Sequence, residues 1–286
     1  NCKAVNGGAV YMTAGKFTLQ GSGKITNCSA SELGGAIYLG GTATSKGTFY
    51  IKNGSISSNK ALNGSGGAIY LNGGNAYVSG GQIDHNESIY GGGAYLAGGA
   101  LNITGGSINY NTATSGGGAY LAGGTLDISS GSIENNNASN GAGAFLTSGT
   151  LNISGGSINA NIATNNGGGA YLGGGTLYVK GGSISANTAT LGGGAYLAEG
   201  TLDISSGSIE QNNASNGAGA YLSSGTLQIS NGSINNNTAT SNGGGAYLGG
   251  GALNISGGSI NNNTATSNGG GAYLGGGALD ISGGSI

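Results

Sequence analysis

Residues 91–115 read GGGAYLAGGALNITGGSINYNTATS, and residues 116–140 read GGGAYLAGGTLDISSGSIENNNASN. Laid one over the other, the two stretches match position by position. The same unit returns every 25 or 26 residues: a strand of AYL type, a glycine corner, a strand of LNIS type, a second glycine corner and a segment of SINNNTA type. Its aromatic position counts eleven copies, at Tyr11, Tyr38, Tyr70, Tyr95, Tyr120, Phe145, Tyr171, Tyr196, Tyr221, Tyr247 and Tyr273. A period of this size marks a quasi-one-dimensional array, in which each unit buries its apolar face against its neighbours.

Within one unit, Leu101 and Ile103 alternate with Asn102, and Gly98-Gly99 and Gly105-Gly106 bound the run. Alternation of period two between glycines is a strand signal, and glycine suits corners because it adopts positive φ without a steric penalty. The repeat predicts an all-β chain, a right-handed single-stranded parallel β-helix (β-solenoid) of about 11 coils of 25–26 residues with three strands per coil, spanning 1–286 as a single domain. At about 4.8 Å per rung, such a rod is about 50 Å long. Leu101, Leu126, Leu151, Leu177, Leu202, Leu227 and Leu253 form one predicted inward stack, with Ile103, Ile128, Ile153, Val179, Ile204, Ile229 and Ile255 beside it.

The third segment reads Ile-x-x-Asn-x-Ala. Its asparagines, Asn59, Asn86, Asn111, Asn136, Asn161, Asn187, Asn212, Asn237 and Asn263, fall at a bend. There the side-chain amide can pass hydrogen bonds up the stack and satisfy corner backbone groups, so an asparagine ladder is expected. The tyrosine row is placed outside, because Ile37 and Leu39 share one face and Tyr38 opposes both. An inward aromatic stack with leucine outside is the alternative. An exposed stripe is a candidate for lateral contact or glycan binding.

Gly7-Gly8-Ala9-Val10, Gly34-Gly35-Ala36-Ile37 and Gly66-Gly67-Ala68-Ile69, with the Ile-x-x-Asn segments, resemble the GGA[ILV] and FxxN repeats of chlamydial polymorphic outer-membrane adhesins. Isoleucine stands where that pattern has phenylalanine. Nearly the whole chain also resembles the right-handed parallel β-helix repeats of bacterial cell-surface proteins, as in Gly257-Gly258-Ser259-Ile260-Asn261-Asn262-Asn263-Thr264-Ala265. That resemblance implies an exported adhesin, stalk or fibre at the cell surface, and brings no catalytic residue with it.

Charge argues against several classes of partner. Charged residues are 6% of the chain, with net charge −2 and no arginine, so neither a nucleic-acid groove nor a basic membrane patch is expected. No apolar run suits membrane insertion. Six of the seven lysines lie in the first 60 residues, and the acids dominate thereafter. No catalytic set, metal site or cofactor is expected: Asp127 and Asp203 lie three coils apart, about 14 Å, too far for paired carboxylates. Asp84, His85 and Glu87 form the densest polar cluster, read as a solvated turn. The Thr-x-Thr triplets, such as Thr112-Ala113-Thr114 and Thr188-Ala189-Thr190, resemble ice-binding ranks, but Asn137-Ala138-Ser139 and Asn213-Ala214-Ser215 interrupt them.

Cys2 and Cys28 occupy the ladder-asparagine position of the first two copies. Stacked on adjacent rungs, their Cα atoms fall within disulfide range, so a Cys2–Cys28 bond is expected, with two stacked free thiols as the alternative. The chain begins and ends within a repeat, which reads as a processed product or a window on a longer array. Unpaired terminal rungs would template further strands, so the expected partner is the chain itself, head to tail with possible lateral bundling, and beyond that glycans or a host surface.

Overall fold

The computed structural model describes residues 1–42 and 44–286. Among them there is no helix, and the named strands pair only in parallel. The chain winds into a parallel β-solenoid of about 11 coils. Three sheets run along it: eleven strands from Val10–Met12 to Ala272–Leu274, eleven from Gly15–Leu19 to Ala278–Ile281, and ten from Lys24–Thr26 to Ser259–Asn261. These are the three segments of the repeat.

The third segment does more than its sequence suggests. After the asparagine it turns a further corner and forms a fourth, shorter ladder of seven strands from Lys3–Asn6 to Ile162–Asn166 and three from Asn213–Ala214 to Thr264–Ala265. Single bridges through Thr188 join the two parts.

Register is like on like. Leu101 pairs with Leu126 and Ile103 with Ile128, and Leu126 and Ile128 pair in turn with Leu151 and Ile153. The backbone hydrogen bonds therefore run from coil to coil along the long axis, as in Gly91 N–H to Ser115 O and Gly116 N–H to Asn140 O. The core is wider than the two predicted stacks. The Leu96 row of the first sheet and the Ile108 row of the third are also fully buried and join them in one cluster. Length variation stays at the corners. Between Tyr38 and Tyr70, 32 residues apart, the extra chain folds outward, with Gly41 and Lys46 pairing across the excursion. The ladders pass it unbroken.

Two corners need left-handed backbone for different reasons. The first glycine of every copy has positive φ, and a Cβ on Gly116, at φ 68°, would lie 2.5 Å from the Ala119 carbonyl oxygen. The residue before each ladder position has φ between 53° and 57°, although it is never glycine: His85, Tyr110, Ala160, Ala186 and Gln211 are among them. Left-handed backbone costs such residues about 1 kcal/mol or more each, and the packed stack must hold them there.

Gly116→Ala should destabilise the rod by about 1–3 kcal/mol. Gly98→Ala should be neutral, because Gly98 has ordinary φ and its Cβ would meet nothing closer than the Gly73 nitrogen at 3.7 Å. Thermal denaturation of the pair checks this, and equal effects would refute the account.

Candidate functional site: ladders along the rod

Asn59, Asn86, Asn111, Asn136, Asn161, Asn187, Asn212 and Asn237 are wholly or almost wholly buried, and Asn263 is partly so. At each step one oxygen closes two bonds: the backbone N–H and Nδ2 of Asn111 donate to Asn136 Oδ1 at 2.9 and 3.0 Å. Asn136 Nδ2 reaches back to the Ile108 carbonyl at 3.0 Å. The left-handed residue just before each asparagine swings its amide into line with the stack. The pattern is polar, because amide donors always point toward the later coil, up to Asn237 on Asn263 Oδ1.

A second, shorter amide chain lies at the entry to the first sheet, and sequence reading missed it. Asn242 N–H and Nδ2 donate to Asn216 Oδ1 at 3.1 and 3.3 Å, and Asn268 Nδ2 donates to Asn242 Oδ1 at 2.9 Å, in the opposite sense to the long ladder. The signal was present in the Asn216-Gly217, Asn242-Gly243 and Asn268-Gly269 dipeptides.

The cysteines sit at the start of the long ladder. Ser29 N–H donates to the Cys2 carbonyl, and Cys28 N–H donates to Asn59 Oδ1 at 2.9 Å. The expected Cys2–Cys28 disulfide is not formed: both thiols are free, Cys2 exposed and Cys28 buried, with Cys28 Sγ 3.5 Å from the Thr26 carbonyl oxygen. In-register parallel neighbours carry parallel Cα–Cβ bonds, which hold the Cβ atoms near the rung spacing of about 4.8 Å, whereas a disulfide draws them to about 3.8 Å.

The aromatic row lies on the outer side of the first sheet, with Ala94 and Leu96 buried on either side of half-exposed Tyr95. Its rings stack from Tyr11 to Tyr273 with centroids 4.4–5.5 Å apart and planes within 4–25°. Exposure runs from 58% at Tyr11 to 9% at Tyr38, whose hydroxyl accepts from Asn72 Nδ2 at 3.0 Å. Burial, and then the phenols of Tyr70, Tyr120 and Tyr90, push the Tyr95 hydroxyl up to about 12. Burial also raises Tyr70, Tyr171 and Tyr221, each helped by a stacked neighbour.

The Asp84, His85 and Glu87 cluster is divided. His85 Nδ1 lies 2.8 Å from Asp84 Oδ2, but Glu87 turns to Lys60 on the adjacent coil. Asp127 accepts from Asn152 Nδ2 at 2.7 Å, with Asn152 and Tyr178 separating it from Asp203 in the outer row of the second sheet. Among the described residues, no three His, Cys, Asp or Glu side chains converge as a metal site. The threonine triplets lie on the short fourth ladder, where its pairing narrows to single bridges. At the second corner, serines including Ser132, Ser157, Ser183, Ser208 and Ser233 line an open polar groove of about 570 Å³ among glycines.

Asn136→Ala should cost about 2–4 kcal/mol in urea denaturation, since it strands the Asn111 donors in a buried position. A cost below about 1 kcal/mol would show the ladder to be energetically idle. The tyrosines make a separate prediction. The folded rod keeps phenols neutral to higher pH than the unfolded chain does, so their contribution is intact below pH 10.0 and is lost as pH rises toward about 12. The thermal midpoint should hold up to that threshold and fall above it, with phenolate absorbance developing later than in denatured protein.

No known protein family, curated protein or solved structure matches this chain.

Proposed function

We propose that this chain is a structural element of a bacterial cell surface, a segment of an extracellular fibre, filament or adhesin stalk whose useful properties are length and stiffness. One observation carries the reading. Leucine, isoleucine, asparagine and aromatic rows continue through the coils, so the architecture serves to extend one cross-section. The resemblance to β-helix repeats of bacterial surface proteins points the same way. A coil that stacks on its own copy can stack on the equivalent coil of another chain, which supports head-to-tail assembly. The lysine-rich early coils and acidic later ones favour that polarity.

A second reading is supported by the tyrosine stripe. Stacked, half-exposed rings offer a flat apolar face with polar tips, suited to sugar rings or to lateral contact between rods. On this reading the module is an adhesin that binds glycans or a host surface. Ice binding and polysaccharide chemistry rank below both, given the broken threonine rank and the dispersed carboxylates.

Electron microscopy and light scattering of the purified chain at high concentration and low salt test the first reading. Filaments with a subunit repeat of about 50 Å are expected, with a cross-β reflection near 4.8 Å. Persistent monomers would remove the self-assembly arm. Replacing Tyr171, Tyr196 and Tyr221 together by serine should leave circular dichroism unchanged while weakening bundling. Loss of saturable glycan binding in the same variant, with assembly intact, would favour the second reading.

A further inference from the structure

Three buried side-chain oxygens among the described residues lack a hydrogen-bond partner: Asp84 Oδ1, Asn109 Oδ1 and Asn140 Oδ1. Buried acceptors rarely stay unpaired, because desolvation without a partner costs about 1–3 kcal/mol. Two of these three are neighbours. Asp84 pairs in register with Asn109, and Asn109 with Glu134, on the outer row of the third sheet. The isoleucines before them, Ile83, Ile108 and Ile133, point into the core.

The surroundings account for no partner. Asn109 is only 8% exposed, and the Asp84 side chain 16%. Elsewhere in the row the amide is satisfied internally: Asn159 Nδ2 and Asn235 Nδ2 donate to Ser157 Oγ and Ser233 Oγ at 2.9 Å, and Asn235 Oδ1 accepts from Asn236. Asn109 makes neither contact. Asp84 uses Oδ2 on His85 Nδ1, and His85 stacks on Tyr110 with centroids 5.3 Å apart, so the imidazole is held to one side. What remains is a row of acceptors, carboxylate, amide and carboxylate, with no donor between them.

We propose that Asp84, Asn109 and Glu134 bind a calcium-like divalent cation on the outer face of the third sheet. Rungs stand about 4.8 Å apart, so an ion midway between two stacked oxygens lies about 2.4 Å from each. Ca²⁺–oxygen bonds span about 2.3–2.6 Å, whereas Mg²⁺ requires about 2.0–2.1 Å. Zinc favours nitrogen and sulfur, and the one imidazole here is already engaged. Two carboxylates balance the charge of one divalent ion, and water completes the shell. With so few protein ligands, affinity belongs in the range of extracellular calcium modules, with Kd about 10⁻⁴–10⁻³ M.

Calorimetric titration of the chain with CaCl₂, alongside terbium luminescence sensitised by Tyr110, tests the proposal. One saturable ion per chain is expected, together with a raised thermal midpoint in calcium. Asp84→Asn should weaken binding by about tenfold or more, while Glu210→Gln, in the same row beside the self-satisfied Asn235, should leave it unchanged. Asn109→Asp separates an ion site from a rotated amide donating to Asp84. At an ion site the added carboxylate tightens binding, and calcium rescues the charge repulsion. If the amide is the partner, the variant is destabilised and calcium restores nothing, which overturns the proposal. Absence of saturable binding, or equal affinity in Asp84→Asn, would also overturn it.

Discussion

Every residue in this molecule has its own counterpart directly above and below it, one rung away. That constraint selects the side chains. Isoleucine and leucine stack on themselves without cost, phenol rings stack face to face, and the asparagine amide donates and accepts in one direction indefinitely. A charge does not stack on its like: two carboxylates one rung apart repel by about 3 kcal/mol at an effective dielectric of 20. The outer rows obey this. Along the second sheet Asp127 is followed by Asn152 and Tyr178 before Asp203 appears, and Lys60 meets Glu87 across a rung. The low charge of the chain, 6% of its residues, follows from stacking more than from solubility.

The fold was legible because the same constraint writes it into the sequence. Residues that share a row recur at a fixed interval, so Leu101, Leu126 and Leu151 announce a ladder by their spacing alone. Three glycine-bounded segments account for the three long sheets. What escaped reading was finer than the period. Nothing in Thr112–Ser115 marks it as a separate strand, because a two-to-four-residue ladder has too few alternations to register. The left-handed residue before each asparagine was equally silent, being Asn, Ser, His, Tyr, Ala or Gln in different coils. Backbone geometry there is imposed by the stack, not by residue preference.

For the candidate surfaces, position was legible and role was not. Recurrence alone puts the tyrosines and asparagines in rows. Which atoms bond, and which remain unpaired, depends on rotamers that the period does not encode. The cysteines show the limit plainly: rung spacing suggested a bond, while the parallel direction of the Cα–Cβ vectors opposes one. Asp84 shows the converse, since its neighbours across the rungs, Asn109 and Glu134, lie 25 and 50 residues away in sequence and become a cluster only through register.

The coil-to-coil hydrogen bonds lie along the long axis, and this sets the mechanics of the rod. Tension applied end to end pulls directly on those bonds, one interface at a time, and does not shear many together. A coil that gives way contributes about 4.8 Å of folded height and releases 25 residues of chain, about 80–90 Å when extended. Because the coils are nearly alike, they yield at similar loads and in steps of similar size. The same stacking that makes the rod stiff at rest makes it a stepwise shock absorber under strain, with a reserve of length many times its folded span.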